Sequence, residues 1–209
     1  MTARDEEILR LLCSKVRFFS LEQIARTWWT EEPREIRRAR QRMMTLAKNA
    51  WLKPTTLLAR PLLDLVGPIF NWHPGRSDPD FSAVSRALRR RWKLPARKVE
   101  VFLASHKAAA ILGGTTFGLV KNLCQATHDL HVSEVFLFYR EYLSDAATLW
   151  VGEDSVISTR GAGKRPDAFL RDAQGRNLRV VEFGGAYKAD RVQALHEHCS
   201  NQQLPYEIW

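Results

Sequence analysis

The sequence contains no run of about 18 apolar residues, the length that a helix needs to cross a bilayer. Its first ten residues, MTARDEEILR, are too charged for a signal peptide. Cysteine is also scarce, because Cys13, Cys124 and Cys199 are odd in number and far apart, a pattern that favours neither a disulfide framework nor a paired zinc motif. We therefore expect a cytoplasmic protein with buried thiols and no membrane partner.

Two common catalytic signatures are missing as well. The sequence has no nucleophile elbow, and its glycine-rich segment 161–164 precedes a predicted strand instead of a helix, so it does not predict a phosphate-binding loop. Zinc remains an alternative, because His196 and Cys199 have the i, i+3 spacing of ligands on one helix face. The other candidate zinc ligands are His128, His131 and Cys124.

Positive charge is concentrated in the first half of the chain. Residues 1–97 contain 20 Lys and Arg against 10 Asp and Glu, a net charge of +10, whereas residues 98–209 contain 12 and 13, a net charge of −1. This asymmetry predicts a polyanionic partner for the first half, with double-stranded DNA as the leading candidate. A solvated basic face without a partner, or one that binds an acidic protein, is the alternative.

The first half has the pattern of a winged helix-turn-helix. A compact apolar helix is predicted at residues 4–13, and Ser20 begins a second helix with Gln23 completing a capping box. Pro33 is placed to begin a third helix over Arg34–Trp51. Residues 57–63 and 65–72 are the candidates for the wing, and further elements are a helix over Asp80–Trp92 and a strand over Val99–Ala104.

The third helix separates into two faces at about 100° per residue. The apolar face contains Ile36, Ala39, Met43, Leu46, Ala47 and Ala50, and the polar face contains Arg34, Arg37, Arg38, Gln41, Arg42, Thr45 and Lys48. Guanidinium groups bind guanine edges and phosphates, and glutamine binds adenine, so the polar face is predicted to be a major-groove recognition surface.

A β-hairpin is predicted in the last third of the chain. Strands over Asp167–Arg171 and Leu178–Phe183 flank a turn over Asp172–Asn177. If the turn is centred between residues 174 and 175, facing positions sum to 349, and Asp167 lies opposite Glu182. Two carboxylates at this separation either hold a divalent cation such as Mg²⁺, as in phosphodiester cleavage, or face water at a strand end.

The order of the last 80 residues is helix, three strands, helix, strand, with Pro166-Asp167 opening the second strand and Glu182 closing the third. This order resembles the αβββαβ core of the PD-(D/E)xK, restriction-endonuclease-like nucleases. The family places a lysine two residues after the glutamate, but Gly184 stands there. Lys188 is the candidate substitute, with Lys164 or Arg165 approaching from the other side and Glu134 or Glu141 as an extra acid.

Across nearly its whole length the chain resembles the replication-relaxation family of plasmid and mobile-element proteins. The segments concerned are RRARQRMMTLAKNAWL, ATHDLHVSEVFLFYRE, RPDAFL and VVEFGGAY, with the pairs His128-Asp129 and Pro166-Asp167 and with Glu182. The resemblance implies an α/β (α+β) protein with a winged helix in residues 1–112 and a degenerate nuclease-like domain in residues 113–209.

The function expected from this resemblance is DNA binding in the control of plasmid or mobile-element replication or mobilisation. The missing lysine favours an inactive second domain that needs no cofactor and has a structural role, or forms a homodimer. The alternative is an endonuclease that uses Mg²⁺ or Mn²⁺ held by Asp167 and Glu182, with Lys188 stabilising the developing charge.

Overall fold

The computed structural model describes residues 1–114, 125–155 and 165–209, and its helices and strands form a mixed α/β protein. The chain divides into two compact units. The first unit is built mainly from Met1–Leu62 and Pro95–Leu137, and the second from Leu63–Leu94, Phe138–Glu153 and the described residues from 165 onward. This division does not coincide with the predicted boundary between residues 112 and 113, because residues 63–94 belong to the second unit.

Three helices open the first unit: α1 (Ala3–Ser14), α2 (Leu21–Trp28) and α3 (Pro33–Lys48). The predicted capping box is present, with the Ser20 hydroxyl accepting from the Gln23 amide and the Gln23 side chain accepting from the Ser20 amide. A second capping box at Thr2 and Asp5 begins α1. Pro33 is the first residue of α3, as the sequence predicts, because its missing N–H leaves no bond unmade there.

The first unit also contains a three-stranded antiparallel sheet with the order β1 (Phe19–Ser20), β4 (Arg97–Ala104), β2 (Leu52–Ala59). β2 and β4 pair along their whole lengths, from Leu52 opposite Ala104 to Ala59 opposite Arg97. The strand predicted over Val99–Ala104 is therefore confirmed. It pairs with β2 on one side and β1 on the other, whereas Phe70–Trp72, within the predicted segment 65–72, is a strand of the second unit.

Two further helices, α5 (His106–Leu112) and the part of α6 (Ala126–Tyr142) up to Leu137, complete the first unit. Its core contains side chains with 0% exposure from the helices and the sheet, among them Ile8, Leu9, Phe18, Ile24, Met43 and Phe102. Burying each large apolar side chain contributes roughly 1.5–3 kcal/mol. The core therefore fixes which face of each helix remains outside.

The second unit is a five-stranded sheet with the order β3 (Phe70–Trp72), β8 (Tyr206–Ile208), β7 (Asn177–Glu182), β6 (Ala168–Arg171), β5 (Trp150–Gly152). Its helices include α4 (Phe81–Arg90), α7 (Ser144–Thr148) and α8 (Ala189–Asn201). β7 and β8 are parallel, and α8 provides the crossover that parallel neighbours require.

The hairpin of β6 and β7 has the predicted register. Ala168 faces Val181 and Phe169 faces Val180, so both pairs sum to 349, and a bulge follows near Arg171. The turn is stabilised by the Asp172 carboxylate, which accepts hydrogen bonds from the amides of Gln174 and Arg176. The position of the turn was sufficient to predict this register, because turn type and loop length fix the register of a hairpin.

In the ranges 1–114, 125–155 and 165–209, no helix has both the length and the apolar character needed to span a membrane.

Candidate functional site

The outer face of α3 has most of the predicted DNA-binding residues exposed. Ala39, Met43 and Leu46 are buried on the opposite face, as predicted, while Ala50 lies beyond the helix end and is exposed. The exposed members of the predicted set are Arg34, Arg37, Arg38, Gln41, Thr45 and Lys48. A polar surface therefore runs along the 16 residues of the helix. Some of its arginines are paired with carboxylates and others are exposed.

Arg42, a member of the predicted set, forms an ion pair with a residue of α1. Its Nε and Nη2 atoms lie 2.9 Å and 2.5 Å from the two carboxylate oxygens of Asp5, in the bidentate geometry typical of a strong ion pair. Asp5 is only 1% exposed and also accepts a hydrogen bond from the Thr2 amide. Burial alone raises the pKa of the Asp5 carboxyl, but the bonds from Arg42 and Thr2 outweigh it and lower that pKa to about 2. Arg42 thus joins α3 to α1.

Two other arginines of α3 also have carboxylate partners. Arg38 lies 2.5 Å from Glu35 one turn earlier, and the Nε of Arg40 lies 2.8 Å from a Glu100 oxygen on β4. Surface pairs of this kind contribute about 0–1 kcal/mol and restrict the guanidinium group to one direction. Both side chains remain more than half exposed, so a phosphate can still compete for them.

Met44 is a surface residue that the sequence analysis did not include. It is 40% exposed and shares a shallow depression with Arg37, Gln41 and Lys48. These four residues have the spacing i, i+4, i+7, i+11, which places them along one stripe of the helix. Helical spacing alone places Met44 beside Arg37, Gln41 and Lys48. The sequence analysis left Met44 out of the polar face because its side chain is apolar.

The two predicted acids of the second unit lie together and are buried. Asp167 is 4% exposed and Glu182 is 1% exposed, so the alternative of two strand-end acids facing water is wrong. The Asp167 amide donates to Glu182 Oε2 at 3.2 Å, and the Phe183 amide donates to Asp167 Oδ2 at 2.7 Å. The carboxylates are therefore held by the backbone of the strands that position them.

Two side chains that the sequence analysis did not include complete this carboxylate pair. The Tyr187 hydroxyl donates to Glu182 Oε1, and Arg191 Nη2 lies 3.8 Å from the same oxygen. Burial and the nearby negative charges of Glu182 and Asp167 raise the pKa of Tyr187 above its usual range, so it stays a neutral donor. Arg191 lies on the first turn of α8, one turn beyond Lys188.

Gly184 occupies the position where the nuclease family has lysine, and its surroundings leave little room for a side chain. A Cβ atom built there lies 2.7 Å from Leu88 Cδ2 and 2.8 Å from Ile208 Cγ2, and both side chains are fully buried. The Gly184 amide donates to the Trp209 carbonyl at 2.9 Å. Lys188, the predicted substitute, is exposed at the N-terminus of α8. Lys164 lies outside the described residues.

The remaining predicted acids have other partners or remain in solvent. Glu134 is bound in the first unit by Gln23 Nε2 at 3.0 Å and by Arg26 Nη2 at 2.7 Å, and Glu141 is exposed. Asp129, of the pair that the family resemblance used, forms an ion pair with Arg17 at 2.6 Å.

The pair His196 and Cys199 of the zinc alternative has other surroundings in the structure. His196 Nδ1 lies 3.1 Å from the Tyr206 hydroxyl and its Nε2 lies 3.1 Å from Asp78 Oδ1, so both ring nitrogens have protein partners. Burial, with a smaller contribution from the charge of Glu182, raises the pKa of the Cys199 thiol to about 12. Among the described residues no group of three or more His, Cys, Asp or Glu could hold a metal ion, and Cys124 lies outside them.

Comparison with protein-family models, with curated proteins and with solved structures finds no match to this chain.

Proposed function

We propose that the protein binds double-stranded DNA through α3 of the first unit. The observation that carries this proposal is the stripe of Arg37, Gln41, Met44 and Lys48, which is exposed along a helix buried on its opposite face. Arg34 extends the stripe toward the helix N-terminus and is also exposed. In a recognition helix, the cations along such a row contact phosphates on both sides of the major groove. The side chains between them reach the base edges.

The topology of the first unit supports a winged helix-turn-helix. Its helices α1, α2 and α3 are followed by the antiparallel pair β2 and β4, with β1 beside β4. In this interpretation β2 and β4 are the strands of the wing, and residues 60–96 form a long insertion between them. The biological role that we propose is regulation of plasmid or mobile-element replication or mobilisation.

For the second unit we propose a nuclease-like domain that no longer binds metal. From α7 onward its order is helix, three antiparallel strands, helix and parallel strand, which supports the PD-(D/E)xK resemblance, while β3 and α4 precede this run. Within the carboxylate pair, two backbone amides, the Tyr187 hydroxyl and the Arg191 guanidinium supply the positive potential that a cation would otherwise supply. Gly184 leaves no room for the catalytic lysine.

The DNA-binding proposal is tested by fluorescence anisotropy with a labelled duplex over a range of salt concentrations. Replacing Arg34, Arg37 and Lys48 with alanine is expected to reduce affinity and to make the slope of log K against log salt shallower by about 2–3, since each lost phosphate contact removes about 0.9. A variant with Arg86, Arg89 and Arg90 changed to alanine, all exposed on α4 of the second unit, controls for the loss of three charges. Equal effects of the two variants would contradict the assignment to α3.

The alternative function is a metal-dependent endonuclease, which the close approach of Asp167 and Glu182 favours. Thermal unfolding and plasmid nicking in millimolar Mg²⁺ or Mn²⁺ separate the two proposals. A cation at 100 times its Kd would stabilise the native state by about 2.7 kcal/mol. We expect no shift in melting temperature and no nicked plasmid. A shift and a nicking activity that both disappear in Asp167→Asn would establish the enzyme instead.

A further inference from the structure

We propose that Gln41 and Met44 read an A·T base pair, with the Met44 side chain packed against the thymine methyl group. This inference rests on the proposed DNA-binding function and specifies the base that the surface of α3 recognises. Its basis is the order of side chains along the stripe, where Gln41 and Met44 lie between the cations Arg37 and Lys48.

The charge distribution along α3 assigns different roles to the centre and the ends of the stripe. Arg37 and Lys48 are 11 residues apart, which corresponds to about 16 Å along a helix axis. Cations at this separation reach phosphates at the edges of a groove, and phosphate contacts position a protein without reading sequence. The neutral pair Gln41 and Met44 therefore lies where base edges are expected.

Met44 has no role in the core that would explain its apolar side chain. The buried face of α3 is formed by Ala39, Met43 and Leu46, at 0–4% exposure, whereas Met44 is 40% exposed and lies among polar and charged residues. A single exposed apolar side chain is common on protein surfaces, and Met44 is informative because it lies in the same depression as Gln41, between Arg37 and Lys48. Its chemistry selects one feature of the major groove, because thymine alone presents a methyl group there.

Gln41 complements this contact. A glutamine amide can donate to adenine N7 and accept from adenine N6 at once, which distinguishes A·T from the other base pairs in the major groove. The Gln41 side chain is exposed, and its backbone carbonyl already accepts from the Thr45 hydroxyl at 2.9 Å. Thr45 thus has its hydroxyl directed to the helix backbone, and Arg40, which lines the same depression, is paired with Glu100 at 2.8 Å. Gln41 and Met44 are the neutral side chains that remain at the centre of the stripe.

The test begins with duplexes selected by the protein from a random pool, in which each thymine is then replaced by uracil. Uracil keeps the base pair and removes only the methyl group. We expect one substitution to weaken wild-type binding about fourfold, the effect of one buried methyl group. Met44→Ala is expected to bind the thymine and uracil duplexes equally, and Met44→Leu to restore the difference.

Gln41→Ala is expected to lose discrimination at the adenine that pairs with this thymine. Met44 is a surface residue, so unchanged melting temperatures of the Ala and Leu variants check that the fold is intact. If the wild type binds duplexes but no thymine-to-uracil change affects it, or if Met44→Ala retains the full difference, this inference fails while DNA binding stands. If the wild type does not bind duplex DNA at all, the proposed function fails first.

Discussion

Arg42→Ala is expected to destabilise the protein, although the residue lies on the helix that we propose to bind DNA. Arg42 makes a bidentate ion pair with Asp5, a carboxylate that is 1% exposed. Without the guanidinium group, the Asp5 carboxylate keeps the hydrogen bond that it accepts from the Thr2 amide in the capping box. Removing one partner of a buried pair is costly because the other charge stays desolvated.

The pKa of Asp5 gives the magnitude. A carboxyl whose pKa falls from 3.8 to about 2 on folding contributes at most about 2.5 kcal/mol at neutral pH. The Arg42 side chain is 35% exposed, so solvent screens part of the interaction, and we expect Arg42→Ala to cost about 1–2 kcal/mol. This stabilisation is present above pH 4, where Asp5 is ionised in both states. It is lost as the pH falls from about 4 to about 2.

Urea unfolding followed by far-ultraviolet circular dichroism at pH values from 2.5 to 7 measures this contribution. The difference between wild type and Arg42→Ala is expected to be largest at pH 5–7 and to shrink below pH 4. Arg37→Ala on the same helix is the matched control, and its unfolding midpoint should equal that of the wild type while its DNA affinity falls. If Arg42→Ala unfolds like the wild type at neutral pH, the ion pair does not stabilise the fold and the reasoning is refuted.

Three further features of the second unit can be tested by substitution and thermal unfolding. Gly184→Ala is expected to cost about 1–3 kcal/mol by overpacking against the buried side chains near its Cβ position; an unchanged melting temperature would show that these side chains adapt. Gln203→Gly should stabilise the protein by about 0.5–1 kcal/mol, because Gln203 has a φ of +53° after the end of α8, whereas Gln202→Gly, at a φ of −96°, should destabilise it. Tyr187→Phe removes the hydroxyl that donates to Glu182 and should cost about 1–3 kcal/mol; no loss would mean that the carboxylate has another donor.

Local patterns in the sequence were sufficient for the elements that carry both candidate sites. The capping box of Ser20 and Gln23 and the proline at the start of α3 predicted where two helices begin, because capping involves residues within one turn. The turn over Asp172–Asn177 predicted which residues of the hairpin face each other, because the position of a turn fixes the register of the two strands that it joins.

The division of the chain into two units could not be predicted from such local patterns. β2 pairs with β4, although residues 60–96 separate them, and the pairing depends on a contact that closes a long loop. When only strand propensity is considered, segments of similar composition, such as 65–72, are equally good candidates for the strand beside β4. Local periodicity carries no information about which of two apolar strands is the partner.

By itself, the sequence determined that α3 has an apolar and a polar face and that Asp167 and Glu182 lie near each other. The first follows from the period of a helix, and the second from the position of the turn that joins the two strands. Only the tertiary structure decided what those side chains do. Arg42 forms an ion pair with Asp5, 37 positions away, while Arg37, about one turn earlier in the same helix, remains exposed. No local pattern distinguishes the two. Likewise, Gly184 is closed to a side chain by Leu88, whose distance in the chain makes the contact a property of packing alone.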